Sequence, residues 1–248
     1  MQNTKLIQNF FDETAAIYPT YFDLVNKTGT SFNFNKRMQI IGHLVAGSTG
    51  RLLDCAVGDG RVTAYALECG QFTEAILVDL SPKMLKLAQG VCQGSTNTGI
   101  GIQYLNSDIF DFAQSQNSLF DIIICSGLIA HLNNPADLLD TLGRILSPNG
   151  KIILQTTLLD HPVTWLVKQL TADKFLKNNG YKISYYTSHK IAALCKETAL
   201  RIERVEKFSM GLQFLDRVLP STWNYYLESR LDTIAQSMGS EAIYVLGR

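Results

Sequence analysis

The stretch LLDCAVGDGR, residues 52–61, sets an acid, Asp54, and two glycines, Gly58 and Gly60, directly after a short apolar run. Glycine weakens the interior of a helix or strand, so this pair marks a bend where the backbone itself is needed. A second acid, Asp79, closes the next apolar run, EAILVDL, and a third, Asp108, follows GIQYLNS. If each run is a strand of an open parallel sheet, all three acids sit beyond the C-terminal strand ends, where ligands bind. With two oxygens, a carboxylate at Asp79 can accept from both hydroxyls of a ribose. His131 lies five residues past Ser126, just beyond a fourth apolar run. An imidazole there has the near-neutral pKa that suits proton removal, although a hydrogen bond to a loop carbonyl accounts for it equally simply. His161, after Asp160, is a weaker base candidate of the same kind.

Two cofactor classes fit a glycine bend between a strand and a helix. A dinucleotide uses G-x-G-x-x-G, and here the frame Gly58, Gly60 ends on Thr63 instead of a third glycine. Asp54 would also set a carboxylate beside a pyrophosphate. S-adenosylmethionine carries no phosphate but has a cationic amino group and a sulfonium, so an acid beside the bend is welcome. Asp79 serves either cofactor; Asp54 favours the second.

These groups are positioned by a regular alternation of elements. RLLDCA, EAILVDL, GIQYLNSD, LFDIIICSG and KIILQTTLL read as strands, separated by helical stretches. LFDIIICSG is so apolar that both its faces must be covered, as at the centre of a parallel sheet. Ser81 followed by Pro82 is a helix start, and a helix from about Pro135 follows Asn133 or Asn134 as cap, with SPNG as the turn after it. Upstream, Pro19 interrupts a helical spacing, and Asn35 is placed to cap a second helix with Met38, Ile41 and Leu44 inward. Downstream, TWLVKQLTADKFLKNNG and HKIAALCKETA read as helices, LRIERVEKF as a twisted or bulged strand, and SEAIYVLGR as a last strand. The pattern predicts an α/β fold: a Rossmann-like, seven-stranded, mostly parallel sheet with helices on both faces, its last strand antiparallel, and helical caps.

We read the 248 residues as one domain: an N-terminal helical lid over 1–50, a cofactor-binding core over 51–160, a substrate cap with remaining core elements over 161–240, and a final strand over 241–248. Lys plus Arg and Asp plus Glu are 22 each, which gives no positive field for a nucleic-acid backbone. Five scattered cysteines form no C-x-x-C pair, and the four histidines show no ligand spacing, so no metal is expected. No stretch reads as a signal peptide or a membrane-inserted helix, and a cytoplasmic setting is the expectation.

From about 51 to 155 the chain resembles the class I S-adenosylmethionine-dependent methyltransferases, of the small-molecule type that includes the ubiquinone and menaquinone methyltransferases. Their first motif falls on Asp54, Ala56, Gly58 and Gly60, with alanine in place of the usual first glycine. The resemblance implies Asp79 and Leu80 at the ribose, Asp108 at the adenine amino group and Ile109 beside its ring. It further implies Ser126 among the floor residues from Cys125 to Leu128, and Tyr18, in FFDETAAIY, near the cofactor. Thr198-Ala199 stands where the family often ends a helix in GF.

The implied activity is in-line methyl transfer to a small, aromatic or hydrophobic metabolite, with His131 as the base if one is used. An NAD-dependent oxidoreductase and a non-catalytic cofactor-binding protein stand as alternatives. Phe11, Tyr18, Tyr21 and Phe22, and later Trp223, Tyr225 and Tyr226, are lining candidates, though aromatics at this spacing also serve as core. Monomer and homodimer both stay open.

Overall fold

The structure, a computed structural model, describes residues 4–95 and 99–248. Strands β1 (Thr49–Asp54), β2 (Gln71–Asp79), β3 (Gly101–Asn106), β4 (Phe120–Ser126), β5 (Leu146–Thr157), β6 (Arg201–Phe208) and β7 (Glu241–Gly247) form one sheet in the order β3-β2-β1-β4-β5-β7-β6. β1 to β5 pair in parallel, while β7 is antiparallel to both its neighbours, β5 and β6. Strand order therefore reverses between β1 and β4, and a crevice opens beyond their C-terminal ends.

The apolar runs bury both faces, as alternate side chains of a strand must. Leu52, Ile122 and Ile124 pack under helices α2 (Gly29–Val45), α3 (Arg61–Cys69) and α4 (Pro82–Ser95). Leu53, Ile123 and Cys125 face α5 (Ile109–Ser115), α6 (Pro135–Arg144) and α8 (Ser188–Glu197). Each such aliphatic side chain contributes roughly 1.5–3 kcal/mol by leaving water, which makes β1 and β4 a rigid platform for the crevice. Helix α1 (Thr4–Thr14) precedes a 3-10 turn (Tyr18–Phe22), where Pro19 breaks the helical run as expected. α7 (Pro162–Asn179), a 3-10 segment (Leu212–Arg217), α9 (Ser221–Arg230) and α10 (Asp232–Met238) complete the chain.

Local signals are mostly read correctly. Ser81 Oγ accepts from the Met84 amide at 3.1 Å, which is the cap of α4. β6 carries a bulge between Ile202 and Arg204. SPNG is an excursion within β5 rather than a turn ahead of it: Phe120 pairs with Leu146 and Ile122 with Lys151, so Ser147 to Gly150 leave the register. Asn35 is not a cap. Thr28 caps α2 through a reciprocal bond with Ser31, and Asn35 lies inside the helix, donating to the carbonyls of Phe22 and Ser31. The expected box has Glu or Gln at its third position; a serine does the same work here.

Candidate active site

A cavity of about 300 Å³ occupies the crevice. Its floor comes from the strand ends: Cys55, Ala56 and Gly58 after β1, Asp79 and Leu80 at β2, Ser107, Asp108 and Ile109 after β3, and Ser126, Gly127 and Leu128 at β4. Its roof is Ile7, Phe10 and Phe11 of α1, Tyr18, and Phe34 and Arg37 of α2. The roof is latched at the floor's edge: Ser81 Oγ donates to Asp12 Oδ1 of α1 at 2.5 Å, and Arg61 reaches the Pro19 carbonyl at 3.1 Å.

The bend after β1 is built from inside. Gly58 and Gly60 have φ of 56° and 83°, the left-handed region in which glycine alone is unstrained. At Gly60 a Cβ would also stand 2.6 Å from Ala88 Cα, so this glycine serves the packing of α3 on α4. Ala56 needs no such freedom, being absent from the residues of positive φ, which agrees with alanine in the first-glycine position. The amides of Val57, Gly58 and Gly60 are spent on Val78 O, Asp79 Oδ2 and Val57 O. The bend is where the backbone is needed, as expected, but these N–H groups are used within the protein rather than offered to an anion.

The three acids divide into two that line the cavity and one that does not. Asp79 accepts from Gly58 N at 2.9 Å through one oxygen and from Ser81 N at 2.8 Å through the other. Each oxygen keeps a second lone pair. Burial pushes its pKa up to about 6 against those two bonds. Asp108 caps α5, accepting from Phe110 N at 2.8 Å, and burial raises its pKa too. Asp54 corrects the expectation of three converging carboxylates. It lies behind the bend, outside the cavity lining, and Thr63 Oγ1 donates to it at 2.5 Å. Burial raises Asp54 to about 7, although its bonds from Thr63 and the Ala56 amide pull the other way. Thr63, the residue that breaks the dinucleotide fingerprint, is thus the partner that Asp54 requires. Gly60 is likewise outside the lining, whereas Ala56, Gly58, Leu80, Ile109, Ser126 and Tyr18 all reach it.

His131 lines the cavity beside the Phe11 ring, with centroids 5.0 Å apart. Its Nδ1 is 3.1 Å from Tyr181 Oη. Burial lowers its pKa to about 4, so the imidazole is neutral at pH 7 and holds its proton more weakly than its sequence alone suggests. His161 is buried at the start of α7 and does not line the cavity. The aromatic expectation splits: Phe11 and Tyr18 line the site, while Tyr21 and Phe22 stand behind it, Tyr21 tilted against Phe34 and Phe22 edge-on to it. Trp223 and Tyr226 lie on the surface, 69% and 55% exposed, and Tyr225 packs on Phe32. Cys125 is sealed in the core and leaves Ser126 to Leu128 as the floor.

Arg37 was not foreseen. It is the sole lysine or arginine of the cavity lining, and its guanidinium stacks on the Phe34 ring at 4.3 Å. Nη1 reaches Ser126 Oγ at 3.3 Å and Gln155 Oε1 at 3.4 Å, while Nε is buried with no hydrogen-bond partner. Behind it, Gln155 and Thr157 donate to Glu241, whose pKa burial raises. The available signal was the spacing of Phe34 and Arg37, one helical turn apart on the segment that roofs the strands.

A methyltransferase-domain family model matches residues 22–205. The chain belongs to that family. A ubiquinone biosynthesis O-methyltransferase of Xylella fastidiosa (strain 9a5c) is 29% identical over 120 residues, 48% of this chain and 47% of the relative. The corresponding protein of Xanthomonas axonopodis pv. citri (strain 306) is 25% identical over 150 residues, 60% and 61% of the two chains. The chain thus spans about half the length of the first of these relatives. Among solved structures, magnesium protoporphyrin IX methyltransferase from Synechocystis PCC 6803, with bound SAH, superposes with a TM-score of 0.64 at 13% identity, covering 99% of both chains. A methyltransferase from Thermotoga maritima, a possible histamine N-methyltransferase, gives 0.64 at 16% identity over 97% and 98%. The match starts at residue 22, the end of the roof turn, and ends within β6, taking in every floor residue of the cavity.

Proposed function

We propose that the chain transfers the methyl group of S-adenosylmethionine to a small, aromatic or hydrophobic acceptor. The observation that carries this reading is how charge is laid out along one cavity: Asp79 and Asp108 stand over β2 and β3, Arg37 stands over β4 and β5, and apolar walls lie between. The residues fit the cofactor. Asp79 has one free lone pair per oxygen for the ribose diol, and Arg37 Nε is a buried donor awaiting an acceptor such as the methionine carboxylate.

Bound there, the cofactor supplies an electrophilic methyl group, and the protein's task is placement and exclusion of water. Asp108 and Ile109 flank the adenine position. Phe10, Phe11, Tyr18 and Phe34 close the roof, and their faces suit a positive charge that disperses as it leaves sulfur. His131, neutral and held by Tyr181, is the residue open to the proton of a hydroxyl acceptor, but with a pKa lowered to about 4 it is a weaker base than the near-neutral imidazole expected from the sequence. A cavity of about 300 Å³ is at the lower end of the range for small-molecule sites, roughly 300–1,000 Å³, so the acceptor enters as the α1 roof yields.

An NAD-dependent oxidoreductase is not favoured: the loop amides that would hold a pyrophosphate are spent inside the protein, and the family model that matches is a methyltransferase domain. With the reading go a small-molecule acceptor, no nucleic-acid partner and a cytoplasmic setting. Calorimetry tests the cofactor: we expect micromolar binding of S-adenosylmethionine or S-adenosylhomocysteine and none of NAD. Absence of binding even at millimolar concentration would sink the proposal. Incubation of cell extracts with labelled cofactor, followed by mass spectrometry of the products, separates an enzyme from a binding protein and identifies the acceptor.

A further inference from the structure

The partner of His131 decides which of its nitrogens carries the proton. A histidine is often oriented by a backbone carbonyl or a carboxylate, groups that only accept, so the ring proton sits on the bonded nitrogen. Here the partner of Nδ1 is the Tyr181 hydroxyl, at 3.1 Å, and a phenol can donate. Tyr181 follows the Gly180 cap of α7, is buried, and makes no other hydrogen bond among the described residues. Phe10 and Phe175 stand edge-on to its ring, with centroids 6.1 and 5.3 Å away, and hold it against the imidazole. Burial raises the phenol's pKa, so its proton stays in place.

Two arrangements are open to such a pair. With the ring proton on Nδ1, Nδ1 donates to Oη and the buried phenolic O–H has no acceptor in the protein, a loss that folded chains rarely bear. With the O–H donating to Nδ1, the pair is satisfied and the ring proton sits on Nε2. Nε2 has no partner among the described residues and is not one of the sealed polar atoms, so it opens to the space that the ring lines. That space is the cavity on one side. On the other it is a recess of about 220 Å³ between α1 and the turn after α7, lined by Ile7, Asn133, Leu176 and Gly180 to Lys182. No carboxylate lines the recess among the described residues, and those of the cavity, Asp79 and Asp108, stand over β2 and β3.

We propose that Tyr181 is a positioning residue that fixes His131 as a hydrogen-bond donor toward the methyl acceptor, and that the acceptor's reacting oxygen therefore arrives already ionised, as a phenolate or a carboxylate. The acceptor half rests on the methyl-transfer reading; the tautomer does not. An Nε2–H takes no proton from a neutral hydroxyl, but it bonds strongly to an anionic oxygen. In the transfer, a lone pair of that oxygen forms the new bond to carbon. The S–CH3 bond breaks with its electrons returning to sulfur, and the anionic oxygen and the sulfonium both end neutral. No proton is left for the protein to remove, and His131 keeps its own. The lowered pKa of the ring agrees with this role, since it makes His131 a poor base from the start.

The deciding experiment is long-range nitrogen–proton correlation NMR of the full chain at pH 7, with and without S-adenosylhomocysteine. His131 is assigned by the signals that persist when His43, His161 and His189 are each replaced by glutamine. Nδ1 is expected at the position of a bare ring nitrogen and Nε2 at that of a protonated one. In Tyr181→Phe the two should move toward each other as the tautomers mix. A ring protonated on Nδ1, or one indifferent to Tyr181→Phe, overturns the proposal. Failure to bind S-adenosylhomocysteine counts against the methyl-transfer reading instead, because the tautomer is read without the ligand as well. Turnover of labelled S-adenosylmethionine on cell extract tests the consequence. His131→Ala should lose roughly 10- to 100-fold, the range for a hydrogen bond to a charged group, and His131→Gln, whose amide donates but takes no proton, should recover most of it. Equal losses in the two variants, both folded by their melting curves, mark a base and overturn the proposal. Mild alkali then separates the two acceptor sources: a methyl ester releases its label, and an aryl methyl ether keeps it. Label found only on alkali-stable aliphatic ethers or on nitrogen overturns the ionised-oxygen assignment.

Discussion

The amide of Gly58 donates to Asp79 Oδ2 across 2.9 Å, and thereby ties the bend after β1 to the end of β2. One carboxylate thus fixes the loop and keeps a lone pair on each oxygen for a ribose. Asp79→Ala loses both functions. Two hydrogen bonds to a charged group, at about 1.5–3 kcal/mol each, give an expected drop in cofactor affinity of 100-fold or more by calorimetry. Asp79→Asn, which keeps one acceptor, should fall between.

Arg37 is expected to act on the amino-acid end of the cofactor alone. Arg37→Ala should weaken S-adenosylhomocysteine by roughly 10- to 100-fold, the range for a lost charge-assisted hydrogen bond. Binding of 5′-methylthioadenosine, which lacks that end, should barely change. Equal losses for both ligands would place Arg37 in the roof's architecture instead.

The pKa of Asp54, about 7 in the fold against 3.8 in an unstructured chain, makes stability depend on pH. A raised carboxyl pKa means that the folded state binds the extra proton between those values. Stability is then full below about pH 4 and falls as pH rises toward 7. At about 1.4 kcal/mol per pH unit the whole effect is on the order of 4 kcal/mol, of which about 2–3 falls between pH 5 and 8. Asp54→Asn should remove this slope in urea titrations at the two pH values. Asp79 acts in the same direction and is present in both proteins.

His131, with its pKa lowered to about 4, stays neutral across the physiological range. The rate should therefore show no inflection near 6.5 from this group. If the acceptor must lose a proton, His131→Ala should cost roughly 10²–10⁴ in kcat at saturating cofactor. A loss of only a few-fold would leave His131 as a wall of the cavity.

Ala199 holds φ of 53° just past α8, where the Leu200 amide bonds back to Cys195 O at 2.9 Å. A left-handed turn of this kind is glycine's position, and alanine there is strained by about 1 kcal/mol. Ala199→Gly should recover most of that and raise the melting temperature by roughly 2–4 °C in a chain of this size.

The sheet was legible because its information is local: doubly buried strands read as unbroken apolar runs, and Ser81 with Pro82 announces α4 from adjacent residues. Asp79 and Asp108 were legible as acids at strand ends. Asp54 shares that signature, but its orientation depends on Thr63, nine residues on, which reads as a mere departure from a glycine motif. Arg37 escaped notice because its partners Ser126 and Gln155 lie 89 and 118 residues away. Trp223 and Tyr226 were misplaced because composition cannot tell an aromatic that lines a cavity from one that faces water. The family resemblance located the floor of the site and Tyr18 of its roof, and Phe11 was a candidate by type; Phe10, Phe34 and Arg37 came only from packing.

β7 lies between β5 and β6, and β6 has no other strand beside it. Whatever frays β7 therefore sets β6 adrift as well, together with its grip on α10. In a hydrogen-exchange experiment the amides of the two strands should open as one cooperative unit, at a common free energy. Glu241, at the head of β7, is bonded to Gln155, which touches Arg37. Breathing at the far edge of the sheet would thus be felt at the arginine of the cavity roof.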